Sequence, residues 1–138
     1  MDNLEILKLK SEGLCCSQIM VRLVLDILDR KNQDLVNFSR GLCLGYGSPT
    51  GACGILTAGI CILSMYMAGD NEKIDRVRQG FIEDFTAMAG GSLACKEISG
   101  AFYPKMDPEK CGSLLALAYD RLMEILMENS IDPADPDV

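Results

Sequence analysis

Apolar residues recur every three to four positions along most of the chain, the spacing of helices that bury one stripe. Ile19, Leu23, Ile27 and Leu28 put such a stripe on a helix from about Cys15 to about Arg30. Leu4, Leu7 and the break at Gly13 predict a shorter helix before it. A third runs from about Gln33 to Leu44, with Leu35, Phe38 and Leu42 inward. Gly45-Tyr46-Gly47-Ser48-Pro49-Thr50-Gly51 is too dense in turn residues to be anything but a loop. Thr50 is then the expected N-cap of a central apolar helix, Ala52–Ala68. Gly69-Asp70-Asn71 ends that helix and caps the next, whose face is Ile74, Val77, Phe81, Ile82 and Phe85. Gly90-Gly91-Ser92 breaks the chain again, and Leu93–Ile98 reads as one or two turns. Asp107 followed by Pro108 is a strong helix start. Leu114, Leu117, Leu122, Ile125 and Leu126 carry that helix to about Asn129.

No segment alternates like a strand, and no long repeat appears. The expected fold is all-α, a single-domain bundle of about five longer helices packed around the uncharged central one. It spans residues 1–130, and the acidic, proline-broken stretch 131–138 reads as a frayed tail. The uncharged run from Gly41 to Gly69 is not read as a membrane span. Glycines and Pro49 interrupt it, and Ala52–Ala68 sits at the bottom of the spanning range of about 17–25 residues. A buried core helix has the same all-round apolar signature.

Composition narrows the chemistry. The 138 residues include seven cysteines and no histidine, with 20 acidic against 13 basic side chains and a net charge of −7. Without histidine there is no Ser-His or Cys-His nucleophile pair, no His-ligated zinc and no C-x-x-C-H haem attachment. The acidic balance and the lack of a basic cluster argue against nucleic-acid binding. Met1-Asp2-Asn3-Leu4-Glu5 lacks the basic and apolar regions of a signal peptide, so the expected location is the cytoplasm. Thiols stay reduced there, and cysteine clusters more often bind metal or do redox work than staple a fold.

No cysteine pair forms C-x-x-C, so local spacing names no zinc or thioredoxin-like motif. Position relative to helix ends is more informative. Cys16 falls in the first turn after the Gly13-Leu14 break, Cys53 three residues after Thr50, Cys95 three after Ser92 and Cys111 four after Asp107. A helix N-terminus offers free N–H groups and the positive end of the dipole, which is expected to lower the pKa of a thiol there. Thiolate is the form that binds iron or zinc and attacks disulfides. Cys61, amid Ile60, Ile62 and Leu63, reads as core packing. Cys43, at a helix end beside the glycine loop, is open between packing and function. Cys15 could pair only with difficulty with its neighbour Cys16, since that ring is strained.

These residues resemble the redox-active proteins named for their C_GCAxxG_C_C cysteine pattern, from about Leu4 to Ala118. Gly13-Leu14-Cys15-Cys16-Ser17-Gln18 is similar to the family's G-x-N-C-A-Q opening, with Cys15 in place of asparagine. Gly51-Ala52-Cys53-Gly54-Ile55-Leu56-Thr57-Ala58-Gly59 resembles G-x-C-G-A-x-x-G, with Ile55 for alanine and the closing glycine shifted. Cys95-Lys96-Glu97-Ile98-Ser99-Gly100 matches C-R-E-L-x-G, and Cys111 with Leu114 and Leu115 matches the last cysteine. The resemblance implies a prosthetic group such as an iron–sulfur cluster on Cys16, Cys53, Cys95 and Cys111. Cys15 and Cys43 are additional candidates. It also implies a neighbourhood of oxidoreductase or transport systems, hence a redox partner protein. Four thiolates beside a sheltering apolar helix suit a cluster chemically.

Two alternatives stand beside that reading: a metal-free thiol–disulfide protein using the same cysteines, and a structural zinc or interaction module of a larger system. Whether the protein is an enzyme stays open, and its apolar helices permit a homodimer. Gly45-x-Gly47-x-x-x-Gly51 with Asp70 imitates a dinucleotide fingerprint, but that motif needs a strand before it. The blander account is a connector that lets Cys53 approach other cysteines closely. The methionines read as adaptable core rather than copper ligands, and Glu83-Asp84 as a solvated helix face.

Overall fold

The charge-free stretch supplies the axis of the protein. In the computed structural model, which describes every residue except Asp2, Pro136 and Val138, it forms α5 (Gly54–Tyr66). Around it run α1 (Asn3–Ser11), α2 (Cys16–Ile27), α3 (Gln33–Ser39), α6 (Asn71–Met88) and α8 (Lys110–Glu128). Two short helices, α4 (Cys43–Tyr46) and α7 (Cys95–Ser99), lie in the connections. Helix α5 packs against α2, α6 and α8, while α1 closes the seam between α2 and α8 and α3 lies along α2. No strand forms among the described residues. The all-α bundle around an uncharged helix is therefore what the chain builds. None of its described helices is long and apolar enough to cross a membrane.

Helix α5 buries Ile55, Leu56, Ala58, Ile62 and Leu63 on most of its sides, which is why it carries no charge. Mid-helix, it makes a close approach at Gly59. A Cβ there would stand 2.6 Å from Cε2 of Phe81, a ring with no exposed surface. Gly59→Ala is accordingly expected to destabilise the fold by about 2 kcal/mol, overpacking outweighing the gain in helix propensity. A urea titration of the variant against the parent measures it.

Side-chain caps set several helix starts. Asp70 Oδ1 accepts from the Lys73 N–H at 3.1 Å and opens α6 as expected. Asp107 Oδ1 accepts from the Glu109 and Lys110 N–H groups, each at 3.0 Å, and its carbonyl accepts from Cys111 N–H at 3.0 Å. Asp107 thus does the capping the Asp-Pro pair predicts, although regular helix begins at Lys110. Arg121 ties α8 to α6 through Asp84 at 2.7 Å.

Several expectations are corrected. Thr50 does not cap α5: helix starts only at Gly54, with Cys53 at the N-cap position, and the Thr50 hydroxyl meets Ser48 instead. The third helix stops at Ser39 and tightens into a 3-10 turn over Arg40–Leu42, and the extended backbone of Cys43 and left-handed backbone of Leu44 and Gly45 prevent it from running on to Leu44. Its inward face is Val36 and Ser39, while Phe38 is 82% exposed. Hydrogen bonds decide that rotation: Gln18 Nε2 donates to the Val36 carbonyl and Ser17 Oγ to the Ser39 carbonyl. Leu4 and Leu7 face outward, Ile6 and Leu9 forming the buried stripe of α1, and Leu117 is likewise exposed. The tail is not frayed at its start, since Ile131 packs on the core and the Tyr66 hydroxyl donates to the Pro133 carbonyl at 2.6 Å. Pro136 and Val138 of that tail lie outside the described residues.

Candidate functional site

Cys16 is the first residue of α2, Cys53 the N-cap of α5, Cys95 the first residue of α7, and Cys111 lies in the first turn of α8. All four are free thiols with at most 7% of their surface exposed. Two devices bring them together. Residues 51–53 run antiparallel to 93–95, with Cys53 N–H donating to the Leu93 carbonyl at 2.7 Å and Cys95 N–H to the Gly51 carbonyl at 3.0 Å. That pairing makes Cys53 and Cys95 diagonal neighbours on one face. The second device is Gly54. A Cβ there would lie 3.0 Å from the Leu42 carbonyl oxygen and 3.1 Å from Cys16 Sγ, so the bare backbone lets the start of α5 approach Cys16. Upstream, Gly45 and Gly51 meet backbone to backbone, each excluding a Cβ on the other. The glycine loop serves that close approach, and among the described residues no strand precedes it as a dinucleotide fingerprint requires.

Ser99 links the other two sulfurs. Its buried hydroxyl lies 3.8 Å from Cys95 Sγ and 3.6 Å from Cys111 Sγ. It sits four residues after Cys95, hence one helical turn along the same face.

Electrostatics within the set is repulsive. Burial, and then the neighbouring Cys53, Cys95 and Cys111, push the Cys16 thiol up to about 12. The Cys53 thiol is pushed up to about 12 as well, mainly by burial, against the Ile55 and Leu56 N–H groups that favour its anion. Burial also raises Cys95. The expectation of thiols acidified by helix N-termini is thus overturned for these three: loss of solvation and mutual repulsion exceed what a few N–H groups return. At neutral pH they are protonated, and a bound cation would reverse that balance.

Among the described residues, no group of three or more cysteine, aspartate or glutamate side chains is arranged to hold a metal ion. The donor chemistry nevertheless fits a thiolate-bound group: four buried sulfurs, no competing nitrogen ligand, and a hydroxyl between two of them. Such a group would be held by Cys16, Cys53, Cys95 and Cys111.

Of the remaining cysteines, Cys15 and Cys43 adjoin this set and Cys61 lies away from it. Cys15 does not pair with Cys16; it forms a disulfide with Cys43, joining the start of α2 to the start of α4. Ser17 and Gln18 brace this bond. Ser17 Oγ lies 2.7 Å from Cys43 Sγ, and Gln18 Oε1 accepts from Cys15 N–H at 3.2 Å. Cys61 is not core, as expected from its apolar neighbours, but exposed on the outer side of α5. Residues 60–63 all read apolar, so the sequence held no sign of which one faces out.

The family profile described as "Putative redox-active protein (C_GCAxxG_C_C)" matches residues 14–125. The chain belongs to this family. No curated protein and no solved structure matches it. In this C_GCAxxG_C_C protein the matched span contains all seven cysteines. Sequence reasoning had passed over Gly54, Ser99, Ser17 and Gln18, which shape the sulfur sites without being sulfur. The Cys-Gly adjacency at 53–54 and the one-turn spacing of Cys95 and Ser99 were the available signals.

Proposed function

We propose that Cys16, Cys53, Cys95 and Cys111 bind an iron–sulfur cluster and that the protein is a cytoplasmic electron-transfer accessory to an oxidoreductase. The observation that carries this reading is the gathering of four buried thiols from four separate helix starts into one set, near enough that each disfavours ionisation of Cys16. Unbound and protonated they pack as small neutral groups, and a bound cation is what would draw all four into the thiolate form. When bound, a cluster supplies one-electron redox chemistry. The protein's part is to supply four thiolates, exclude water with α5 and the start of α2, and aim the Ser99 hydroxyl at two sulfurs. Hydrogen bonds to ligand sulfur and burial are the levers that set such a potential.

That no three of these side chains are arranged around a single ion, among the described residues, supports a cluster over a single zinc. Around one zinc ion four sulfurs stand about 2.3 Å from the metal, crowded into one small tetrahedron. A four-iron cluster lets each cysteine take a separate iron, and the sulfurs stand further apart. The metal-free thiol–disulfide reading of the same four residues has less support, since thiols pushed up to about 12 are poor nucleophiles at neutral pH.

Anaerobic purification followed by an absorption spectrum and assay of iron and acid-labile sulfide tests the proposal. A brown protein with both bound is expected. A colourless protein free of iron overturns it, and zinc without a redox response returns the structural alternative.

A further inference from the structure

A second sulfur feature adjoins the four-thiol set, since Cys16 lines the same cavity as Cys15 and Cys43. Cys15 and Cys43, disulfide-bonded and each half-buried, line a cavity of about 460 Å³ at the surface. That is the size of a small-molecule site. Phe102, Pro104 and Met106 form an apolar wall, and Lys10 and Lys105 are its charged members. No acidic side chain lines it, in a chain with 20 acidic and 13 basic residues. Neither lysine is paired with a carboxylate among the described residues. A disulfide that small molecules can reach is therefore set beside two unpaired cations.

We propose that this cavity is a thiol–disulfide exchange site for a small anionic thiol, a molecule carrying one sulfhydryl and at least one carboxylate. The lysines hold the carboxylate, and the apolar wall takes the carbon chain. The thiolate of the small molecule attacks Cys15 Sγ. A bond forms between the two sulfurs as the Cys15–Cys43 bond breaks, and the electron pair leaves on Cys43 Sγ. That sulfur takes the proton the incoming thiol gave up. It then has an acceptor in place, Ser17 Oγ at 2.7 Å, whose own hydrogen is committed to the Ser39 carbonyl at 2.7 Å. A second molecule of the thiol attacks the small molecule's sulfur in the mixed disulfide, and the electron pair leaves on Cys15 Sγ, which takes up the proton that the second thiol gave up. This releases the oxidised small disulfide and leaves Cys15 and Cys43 as thiols. Two small thiols are oxidised and one protein disulfide is reduced; the reverse sequence restores it. None of these steps makes or breaks a bond at the four buried thiols, although Cys16 also lines the cavity, and an adduct found on Cys16 would count against the proposal.

The test uses the full-length protein, unreduced, with mercaptopropionate, mercaptoethanol and cysteamine as anionic, neutral and cationic probes. Each rate of disulfide opening is divided by that thiol's rate on an uncharged model disulfide, which removes intrinsic reactivity. The normalised rate is expected to fall about tenfold from the anionic to the cationic probe. Mass mapping should place the trapped mixed disulfide on Cys15. The Lys10→Gln, Lys105→Gln double variant should keep the disulfide and lose the preference. Equal normalised rates for the three probes, an adduct on another cysteine, or absence of the disulfide from the unreduced protein overturns the proposal. So does opening by thioredoxin but by none of the three probes, which would assign the bond to a protein partner.

Discussion

Replacing Cys53 with serine is expected to reduce bound iron by about tenfold or more and to remove the visible absorption, with the helical fold retained. The residue sits at the N-cap of α5, where serine is among the most favoured residues, so the helix start keeps its geometry. What changes is the donor: a hydroxyl is a hard ligand with a far higher pKa than a thiol, and iron–sulfur chemistry calls for thiolate. Far-ultraviolet circular dichroism and the melting temperature of the metal-free variant should match those of the metal-free parent. Cys61→Ser, on the outside of the same helix, provides the control and should keep its iron. A Cys53→Ser protein that retained full iron, or lost only stability, would remove this residue from the site.

Alkaline pH should destabilise the metal-free protein and leave the iron-loaded protein much less affected. Cys16 and Cys53 are raised in the folded state from 9.0 to about 12. Between those values the unfolded chain has released protons that the folded chain still holds. Stability is then complete below pH 9 and falls as pH rises toward 12. A displacement of this size corresponds to about 4 kcal/mol for one buried thiol, a large share of a domain's stability. Tyr66 and Tyr119, also raised to about 12 by burial, add a fall above pH 10 in both forms. The difference between the two forms therefore isolates the thiols, because metal-bound thiolates have no proton left to lose. Urea midpoints measured from pH 8 to pH 11 decide the matter. A flat profile for the metal-free protein would show that these thiols are not buried as protonated groups.

Helix identities were the most legible part of the chain, and particular residues show why. Val77, Phe81 and Phe85 are buried in α6, and Leu114, Leu122, Ile125 and Leu126 in α8, because apolar spacing repeated over several turns leaves one solution. Caps with a carboxylate, Asp70 and Asp107, were equally readable, since the side chain bonds within three residues of itself. Phe38, Leu117 and Leu4 were misread where an apolar side chain lies off the stripe that long-range partners select. Thr50 failed as a cap because Gly51 to Cys53 is drawn into pairing with residues 93–95, a contact forty residues away. The placement of the four cysteines at helix starts could be read from breakers and caps; the consequence for their acidity could not. Local N–H groups argue for thiolates, whereas burial among one another argues for thiols, and burial is a property of the assembled fold.

Sequence alone suffices for the class of fold, for a chemistry built on sulfur without histidine, and for the four residues that carry the family pattern. Each of these rests on composition or on interactions spanning a few residues. The tertiary arrangement is what joins Cys15 to Cys43, turns Cys61 outward, slips Ser99 between two sulfurs and brings Lys10 and Lys105 to one cavity. Those outcomes depend on which surfaces meet across long stretches of chain. A disulfide or a pocket is defined by distance in space, and no local pattern encodes it.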